Sequence, residues 1–354
     1  MSDSARVSLF FPIFAAILAV VPVASDDTVS SKSLASAYAA SGDPRARETY
    51  ERAIAESPRD LPLRVEFAEF LWRSGNVEPG NEQMEQVIRL APDNPRLRAH
   101  YGVNLAGQKK YGKAVEELDA ARRAGFDDPN VLLFLGSALW EIGRLDEAKE
   151  RLKEAVTKAP DRVAARHRLG RLLLLQGNPT AAATELARAA ELDPVSAEIA
   201  IDVGRALEAS GDPAGAERAY RRALAHDPEP PLAHYLLGTL LARTGRREEA
   251  GRHLALYRES FERDQQQQFR SRSRQAELNL GRARLSERRF GDALAQFDRL
   301  PDDPEALRGA AEALSALGRH GEAVARLSRA LELDPGNAAL RSELDAARER
   351  AAKK

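Results

Sequence analysis

The sequence repeats itself every 34 residues along most of its length. Residues 170–194 (GRLLLLQGNPTAAATELARAAELDP) and 204–228 (GRALEASGDPAGAERAYRRALAHDP) carry Gly, Leu, Gly, Ala, Ala and Pro at the same offsets. Stepping by 34 places a small or apolar residue in register over seven units without an insertion, at Leu34, Ala68, Gly102, Gly136, Gly170, Gly204 and Gly238. Self-similarity at a fixed period of this length predicts stacked supersecondary units rather than one globular core.

Each unit is predicted to form two helices joined by a tight turn. Apolar residues three or four positions apart, such as Leu132, Leu135 and Leu139, indicate the first helix. Asn178-Pro179 supplies the N-cap and first-turn proline of a second helix. Between the helices we expect a glycine in the left-handed conformation that ends a helix. These turn glycines are Gly75, Gly143, Gly177, Gly211 and Gly245.

The pattern resembles the tetratricopeptide repeat (TPR) family. The match rests on the period of 34, a small residue at the eighth position, Ala at the twentieth and twenty-seventh, and Pro at the thirty-second, and it covers nearly all of residues 27–337. The family's Trp at the fourth position is missing, and the first three units are expected to be irregular. The resemblance implies an all-α, right-handed superhelical solenoid of about nine stacked helix-turn-helix units. The fourth positions hold Arg64, Arg98, Leu132 and Arg166.

The repeat register predicts four segments. TPR units 1–7 occupy residues 27–264, a Gln-rich break covers 265–273, units 8 and 9 follow at 274–337, and a C-terminal capping helix spans 338–354. The second helix of the seventh unit is expected to run past Glu262 into the Gln run. That stretch is interpreted as an exposed helix or loop, with a hinge or a partner site as alternatives.

The N-terminus predicts export. Arg6 precedes a hydrophobic run at residues 7–24, VSLFFPIFAAILAVVPVA, and Asp26 and Asp27 follow it. Positive charge before the run and acidic residues after it place the body outside the cytoplasm. Residues 1–25 are therefore interpreted as a signal peptide or an N-terminal membrane anchor, and the protein as periplasmic or otherwise extracytoplasmic. If this segment is instead a buried helix, the protein is cytoplasmic.

The charge, the cysteine and histidine content and the motifs of the chain indicate no catalytic or metal site. The formal net charge of −1 gives no reason to expect a nucleic-acid partner, and the chain contains no cysteine. None of the six histidines stands at metal-ligand spacing, and no phosphate-binding loop or nucleophile elbow is present. We therefore expect no catalytic residues, no metal and no cofactor, and predict that the protein is not an enzyme.

The resemblance implies binding of a partner peptide or helix in the concave groove lined by the first helices. At and near the inward-facing positions, the candidate aromatic anchors are Trp72, Phe134, Trp140 and Tyr235. Exposed aromatic rings in a groove can hold a partner's apolar side chains. The alternative is that these rings pack between adjacent first helices as part of the core.

A second set of candidate groove residues is cationic. Arg171 and Arg205 occupy the same ninth position in successive units, with His167 and Arg168 one turn before Arg171. Arginines on rigid helices can bind a carboxylate through two hydrogen bonds. Asp202 and Glu208 lie close to Arg205 in sequence, so simple pairing of these charges is the alternative.

These observations predict a non-enzymatic interaction scaffold or adaptor of the cell envelope that binds a protein or peptide partner. Two alternatives are a structural protein that associates with itself and a regulatory or assembly subunit of an envelope enzyme or secretion complex. The fold does not identify the partner.

Overall fold

The computed structural model describes residues 30–352, and these residues form eighteen α-helices. Among them there is no β-strand, which confirms the predicted all-α class. The hydrophobic run at residues 7–24, predicted to be a leader or an anchor, lies outside the described residues. No helix within residues 30–352 is long and apolar enough to cross a membrane.

The chain divides into two compact units, residues 1–233 and 234–354. In the first unit the helices alternate as first and second members of antiparallel hairpins. The first helices are α1 (Ser31–Ser41), α3 (Leu61–Arg73), α5 (Pro95–Gly107), α7 (Pro129–Glu141), α9 (Val163–Leu175) and α11 (Ala197–Ala209). The second helices are α2 (Ala46–Glu56), α4 (Val77–Leu90), α6 (Tyr111–Arg123), α8 (Leu145–Lys158), α10 (Pro179–Leu192) and α12 (Pro213–His226).

Helix α13 (Pro231–Arg243) includes the boundary between the two units. The remaining helices belong to the second unit. They are α14 (Arg247–Ser286), α15 (Phe290–Phe297), α16 (Pro304–Ala316), α17 (His320–Leu333) and α18 (Ala338–Ala352).

The eighth position of each repeat is where the two helices of a hairpin approach most closely. A Cβ atom placed on Gly170 would lie 2.5 Å from Cγ of Leu186, and one on Gly204 would lie 2.3 Å from Cε1 of Tyr220. Real Cβ atoms do not tolerate such distances, so the glycines are required for the contact. The large side chain from the second helix then fills the groove between the helices.

The turns between the two helices use the left-handed conformation. Gly177 and Gly211 have φ angles of 75° and 88°, and each follows the last turn of a first helix. The third hairpin differs, because Lys109 adopts a φ of 62° at the equivalent position. A side chain in this region is strained, since Cβ approaches the backbone.

Arginines at the fourth repeat position, where the family has Trp, join consecutive hairpins. The Arg166 Nε donates to the carbonyl oxygen of Pro160 at 2.6 Å, and its Nη1 donates to Glu185 at 2.6 Å. Pro160 ends the preceding hairpin, and Glu185 lies on α10, the second helix of the hairpin to which Arg166 belongs. One planar guanidinium therefore fixes three segments. The same pattern occurs at Arg64 with Pro58 and Gln83, and at Arg98 with Pro92 and Glu117.

In the sixth hairpin, the arginine that bonds to the end of the preceding hairpin lies on the second helix instead of the first. Its fourth position is Ala200, which cannot donate a hydrogen bond from its side chain. Arg222 on α12 instead donates through Nη2 to the carbonyl oxygens of Pro194 at 2.9 Å and Ala190 at 3.0 Å. Because backbone acceptors at helix ends need partners, a second arginine position serves the same purpose.

Helix α14 replaces two helices in the second unit. Its first part packs on α13, where Gly238 would place a Cβ 2.8 Å from Cγ of Leu254. Its last part packs on α15, where Gly281 would place a Cβ 2.4 Å from Cε1 of Phe297. Residues 265–273, predicted as a break in the repeats, are helical and continuous with both parts.

The second unit ends in a hairpin that is covered by a single helix. Helices α16 and α17 form a regular hairpin, and α18 lies against it. The stripe of Leu340, Leu344 and Ala347 on α18 is buried against residues such as Leu314 and Leu327. The charged side chains of α18 other than Glu343 are exposed, as expected at the end of a repeat array.

Candidate partner-binding face

The first helices form one side of the first unit. Successive first helices touch each other directly, as α5 does with α7, α7 with α9, and α9 with α11. Within this unit, successive second helices make fewer such contacts. The side on which neighbouring helices lie closer is the inner side of a curved stack, so the first helices line a concave face.

Trp140 lies at the C-terminal end of α7 on this side. Its ring is half-buried against the apolar core, and two guanidinium groups of α9 lie over it. The Cζ atoms of Arg168 and Arg171 are both 5.8 Å from the ring centroid. This cation–π arrangement connects the fourth hairpin to the fifth.

Asp202 on α11 is the centre of a charged cluster formed with α9. Its side chain is only 7% exposed, and His167 Nε2 donates to its Oδ2 at 2.9 Å. The Nε of Arg171 lies 3.5 Å from the same oxygen, and Arg205 Nη1 donates to Oδ1 at 3.1 Å. Three of the predicted groove residues therefore converge on one buried carboxylate.

The environment of Asp202 favours its ionised form. Burial by itself raises the pKa of this carboxyl, because a charge is poorly solvated there. The hydrogen bond from His167, together with the charges of His167, Arg171 and Arg205, outweighs burial. The pKa of Asp202 is therefore below its usual value of 3.8.

His167, Glu198 and Asp202 also have the residue types of a metal site. One ligand atom from each lies within 4.8 Å of the others. However, Arg171 approaches both acids, with Nη1 3.3 Å from Glu198 Oε1, and Arg205 donates to Asp202. A metal cation would face these two guanidinium groups at close range, so the arrangement fits an ion-pair network better than a metal centre.

The other predicted aromatic residues lie elsewhere. Trp72 is half-buried between α3, α4 and α5, where its Nε1 donates to Oδ1 of Asn81 at 3.1 Å and its ring meets His100 edge-on at 6.1 Å. These contacts join Trp72 to the second helix of its own hairpin and to the first helix of the next one. Phe134 on α7 is partly buried against the core.

Tyr235 belongs to the second unit, on α13. It is 43% exposed, and its ring centroid lies 5.1 Å from that of Tyr257 on α14. This contact is independent of the cluster around Asp202, and Tyr235 remains a candidate anchor within its own unit.

Sequence reasoning missed Glu198 as a member of the site. It also treated Asp202 only as a neutralising neighbour of Arg205, whereas the carboxylate organises the cluster. The available signal was the offset of 35 residues between His167 and Asp202, one more than the period. That offset predicts neighbours on adjacent first helices once the repeat stacking is known.

A family model described as the tetratricopeptide repeat matches residues 65–129, 135–197, 202–264 and 275–338. Among curated proteins, a TPR repeat-containing protein of Pseudomonas aeruginosa is 28% identical over 124 residues, which are 35% of this chain and 21% of that protein. The protein O-mannosyl-transferase TMTC1 of Mus musculus is 29% identical over 150 residues, 40% of this chain and 16% of that protein. The chain thus spans 21% and 16% of the lengths of these two relatives.

Two solved structures are similar over about half of the chain. YrrB, described as a TPR protein with an unusual peptide-binding site, has a TM-score of 0.47 at 22% identity and covers 53% of this chain and 97% of its own. MamA from Desulfovibrio magneticus RS-1 has a TM-score of 0.46 at 23% identity, with coverages of 49% and 97%. Because the family model matches more than half of the chain, this protein belongs to the tetratricopeptide repeat family.

Proposed function

We propose that this TPR protein is an interaction scaffold whose concave face at hairpins 4–6 binds an acidic segment of a partner protein. The observation that carries the proposal is the placement of Trp140, Arg171 and Arg205 around buried Asp202 on three adjacent first helices. The family supports a role in protein interactions in general. The cluster supports a particular chemistry for the bound segment.

The charge balance of the cluster favours an anionic ligand. Arg168, Arg171 and Arg205 supply three positive charges, against the two negative charges of Asp202 and Glu198. Among the described residues Arg168 forms no ion pair and contacts the Trp140 ring instead. A carboxylate from a partner would complete the neutralisation, and guanidinium groups bind carboxylates through paired hydrogen bonds.

Asp202 prepares the face for binding. It holds Arg205 through Nη1, so the Nε and Nη2 of Arg205 can donate to a carboxylate of the ligand. The Arg205 side chain is 45% exposed, so a ligand can reach it. Because the cluster is already fixed by packed helices, little side-chain entropy is lost when a ligand binds. Half-buried Trp140 provides an apolar surface for a neighbouring side chain of the same ligand.

The experiment is a peptide-display selection against the purified chain. We expect the wild type to enrich peptides that combine acidic residues with an apolar residue. The test variant is Arg168→Glu with Arg205→Glu. The control variant is Arg123→Glu with Arg188→Glu, which makes the same charge change at exposed positions of the second helices α6 and α10.

Binding is then measured directly. Trp72 and Trp140 are the two tryptophans of the chain, so Trp72→Phe leaves Trp140 as a single fluorescent reporter. We expect selected peptides to change its emission, and the test variant to weaken binding at least about tenfold while the control binds as the wild type does. Equal enrichment of the same peptides by both variants, each shown to be folded by circular dichroism, would remove the proposed face as the binding site.

We further propose that the protein acts outside the cytoplasm, on the strength of the hydrophobic run at residues 7–24 and the acidic residues after it. Alkaline phosphatase fused after residue 352 reports the side of the membrane on which the body lies. High phosphatase activity supports export. Activity equal to that of a fusion lacking residues 1–25 would place the protein inside the cell.

A further inference from the structure

The two acidic side chains of the cluster on the concave face are held very differently. Asp202 is 7% exposed and contacts three side chains, which are those of His167, Arg171 and Arg205. Glu198 is 69% exposed, and its Oε1 accepts a hydrogen bond from Nη1 of Arg171 at 3.3 Å. Within the described part of the chain, the side chain of Glu198 forms no other hydrogen bond or ion pair. One acid is therefore fixed in the cluster, and the other is attached at a single point.

Arg171 is shared between these two acids. Its Nη1 donates to Glu198, while its Nε lies 3.5 Å from Oδ2 of Asp202. Glu198 and Asp202 are four residues apart on α11, so they lie one turn apart on the same side of that helix. The guanidinium of Arg171 also lies 5.8 Å from the centroid of the Trp140 ring. If Glu198 turned away, Asp202 and Trp140 would still hold this guanidinium on the face, with Nη1 available to another acceptor.

Turning Glu198 away from Arg171 costs little free energy. Ion pairs between exposed side chains stabilise a protein weakly, because water solvates both charges when they separate. Glu198 also lies in the first turn of α11, where the helix N-terminus stabilises an acidic side chain with or without the arginine. Asp202 cannot be released in this way, since a buried carboxylate that loses its partners is strongly destabilising. Of the two acids, only Glu198 is therefore exchangeable.

A carboxylate from outside the chain can bind Arg171 better than Glu198 does. Glu198 accepts from Nη1, and within the described residues Nη2 of Arg171 donates no hydrogen bond. The orientation of Glu198 is limited by its attachment to α11. A carboxylate on a bound segment is not limited in this way, and it can accept two parallel hydrogen bonds from one guanidinium. This difference favours exchange when an acidic segment is present.

We propose that Glu198 is an internal competitor at the binding face: it occupies Arg171 in the free protein, and a carboxylate of the bound segment displaces it. This inference rests on the proposed function, because it requires an acidic segment on the same face. Asp202 keeps the arginines in place throughout, and Glu198 sets how strongly a segment must bind to reach Arg171. The wild type consequently binds acidic segments more weakly than the same face would without the charge of Glu198.

The test measures binding of a fluorescein-labelled peptide of eight glutamates around a central leucine, by fluorescence anisotropy with the full chain. We expect Glu198→Gln to strengthen binding about threefold to tenfold, because Arg171 is no longer paired and one like charge is gone. The matched control is Glu191→Gln, which removes the same charge from α10, where Glu191 is 64% exposed in its pair with Arg188. The control should change the affinity less than about twofold. A peptide with glutamine in place of every glutamate should gain nothing from Glu198→Gln.

A second comparison separates competition from general repulsion. Glu198→Gln is measured again in an Arg171→Gln background, where there is no guanidinium to release. We expect the gain from Glu198→Gln to fall below about twofold there, because the two side chains act through one contact. Circular dichroism of each variant shows whether it is folded.

The outcomes distinguish this inference from the proposed function. If the gain from Glu198→Gln were as large without Arg171 as with it, or absent from the otherwise wild-type chain, the competitor role would be overturned and the acidic-segment site would stand. If neither the wild type nor any variant bound the glutamate peptide, the proposed function and the competitor role would both be overturned.

Discussion

Nε2 of His167 on α9 lies 2.9 Å from Oδ2 of Asp202 on α11, and this contact ties the fifth hairpin to the sixth. Both side chains are largely buried, with 14% and 7% of their surfaces exposed. Arg171 and Arg205 complete the shell of cations around the carboxylate. The relationship is therefore part of the stacking of the repeats as well as of the proposed binding face.

We predict that Asp202→Asn lowers the free energy of unfolding by about 1–3 kcal/mol at neutral pH, because it removes the charge that several donors require. The wild-type pKa of Asp202 is lowered in the folded protein, so its contribution is present above the unfolded value of 3.8 and is lost as the pH falls through the folded pKa. The difference between wild type and variant should therefore shrink below pH 3.8. Urea unfolding followed by circular dichroism at several pH values measures it.

The control for this variant is Glu198→Gln on the same helix. Glu198 pairs with Arg171 at 3.3 Å but is 69% exposed, so we expect a change within about 0.5 kcal/mol. If the difference between Asp202→Asn and wild type stayed constant from neutral to acid pH, the carboxylate would not be held ionised by the cluster.

Arg166→Lys tests the arginine that joins consecutive hairpins. Lysine keeps the charge but has a single nitrogen, which cannot reach both the Pro160 carbonyl and Glu185 in the geometry of the guanidinium. We predict a loss of about 1–2 kcal/mol in chemical denaturation. Arg188→Lys on α10 of the same hairpin is the control, since Arg188 is 49% exposed in its pairs with Asp161 and Glu191. Equal effects of the two variants would contradict a structural role for Arg166.

Gly204→Ala tests the close approach of α11 and α12. The added Cβ would lie 2.3 Å from Cε1 of Tyr220, which is fully buried and donates its hydroxyl to Glu208 at 2.8 Å. Because neither helix can move away without losing core contacts, we expect a loss of about 1–3 kcal/mol in thermal or chemical unfolding.

The same change at Gly112 should have the opposite sign. A Cβ on Gly112 in α6 meets nothing within 4 Å, and alanine is the better helix former, so Gly112→Ala should stabilise by up to about 1 kcal/mol. Were Gly204→Ala as stable as the wild type, the hairpin would be packed less tightly than described.

Most of the fold could be predicted from the sequence because each repeat carries the same types of residue at the turn and at the helix contact. Gly170 opposite Leu186 and the left-handed Gly177 follow from the period and from backbone sterics alone. The continuous helix through residues 265–273 was harder to predict. Gln-rich sequence is compatible with either a helix or a loop, and the outcome depends on the packing of Leu254 and Phe297 at its two ends.

The candidate site could be predicted only in part. The ninth-position arginines Arg171 and Arg205 were identified by their repeat register, because equivalent positions line the same face. The central role of Asp202 depends on the distance between neighbouring hairpins, which no single repeat encodes. The hydrogen bond from Trp72 to Asn81 likewise depends on how α3 and α4 pack, although the repeat register already places Trp72 at a candidate anchor position.

The third hairpin offers a prediction from its turn. Lys109 has a φ of 62° at the position where Gly143 and Gly177 have 81° and 75°, and its side chain is exposed. Left-handed backbone costs a non-glycine residue about 1–2 kcal/mol, whereas glycine adopts it freely. Lys109→Gly should therefore raise the free energy of unfolding by about 0.5–1 kcal/mol, after allowance for the greater freedom of glycine in the unfolded chain. The reverse change, Gly143→Lys in the next hairpin, should lower it by a similar amount, and urea unfolding of both variants measures the pair. A Lys109→Gly protein less stable than the wild type would mean that the lysine side chain makes a contact worth more than the strain of its backbone.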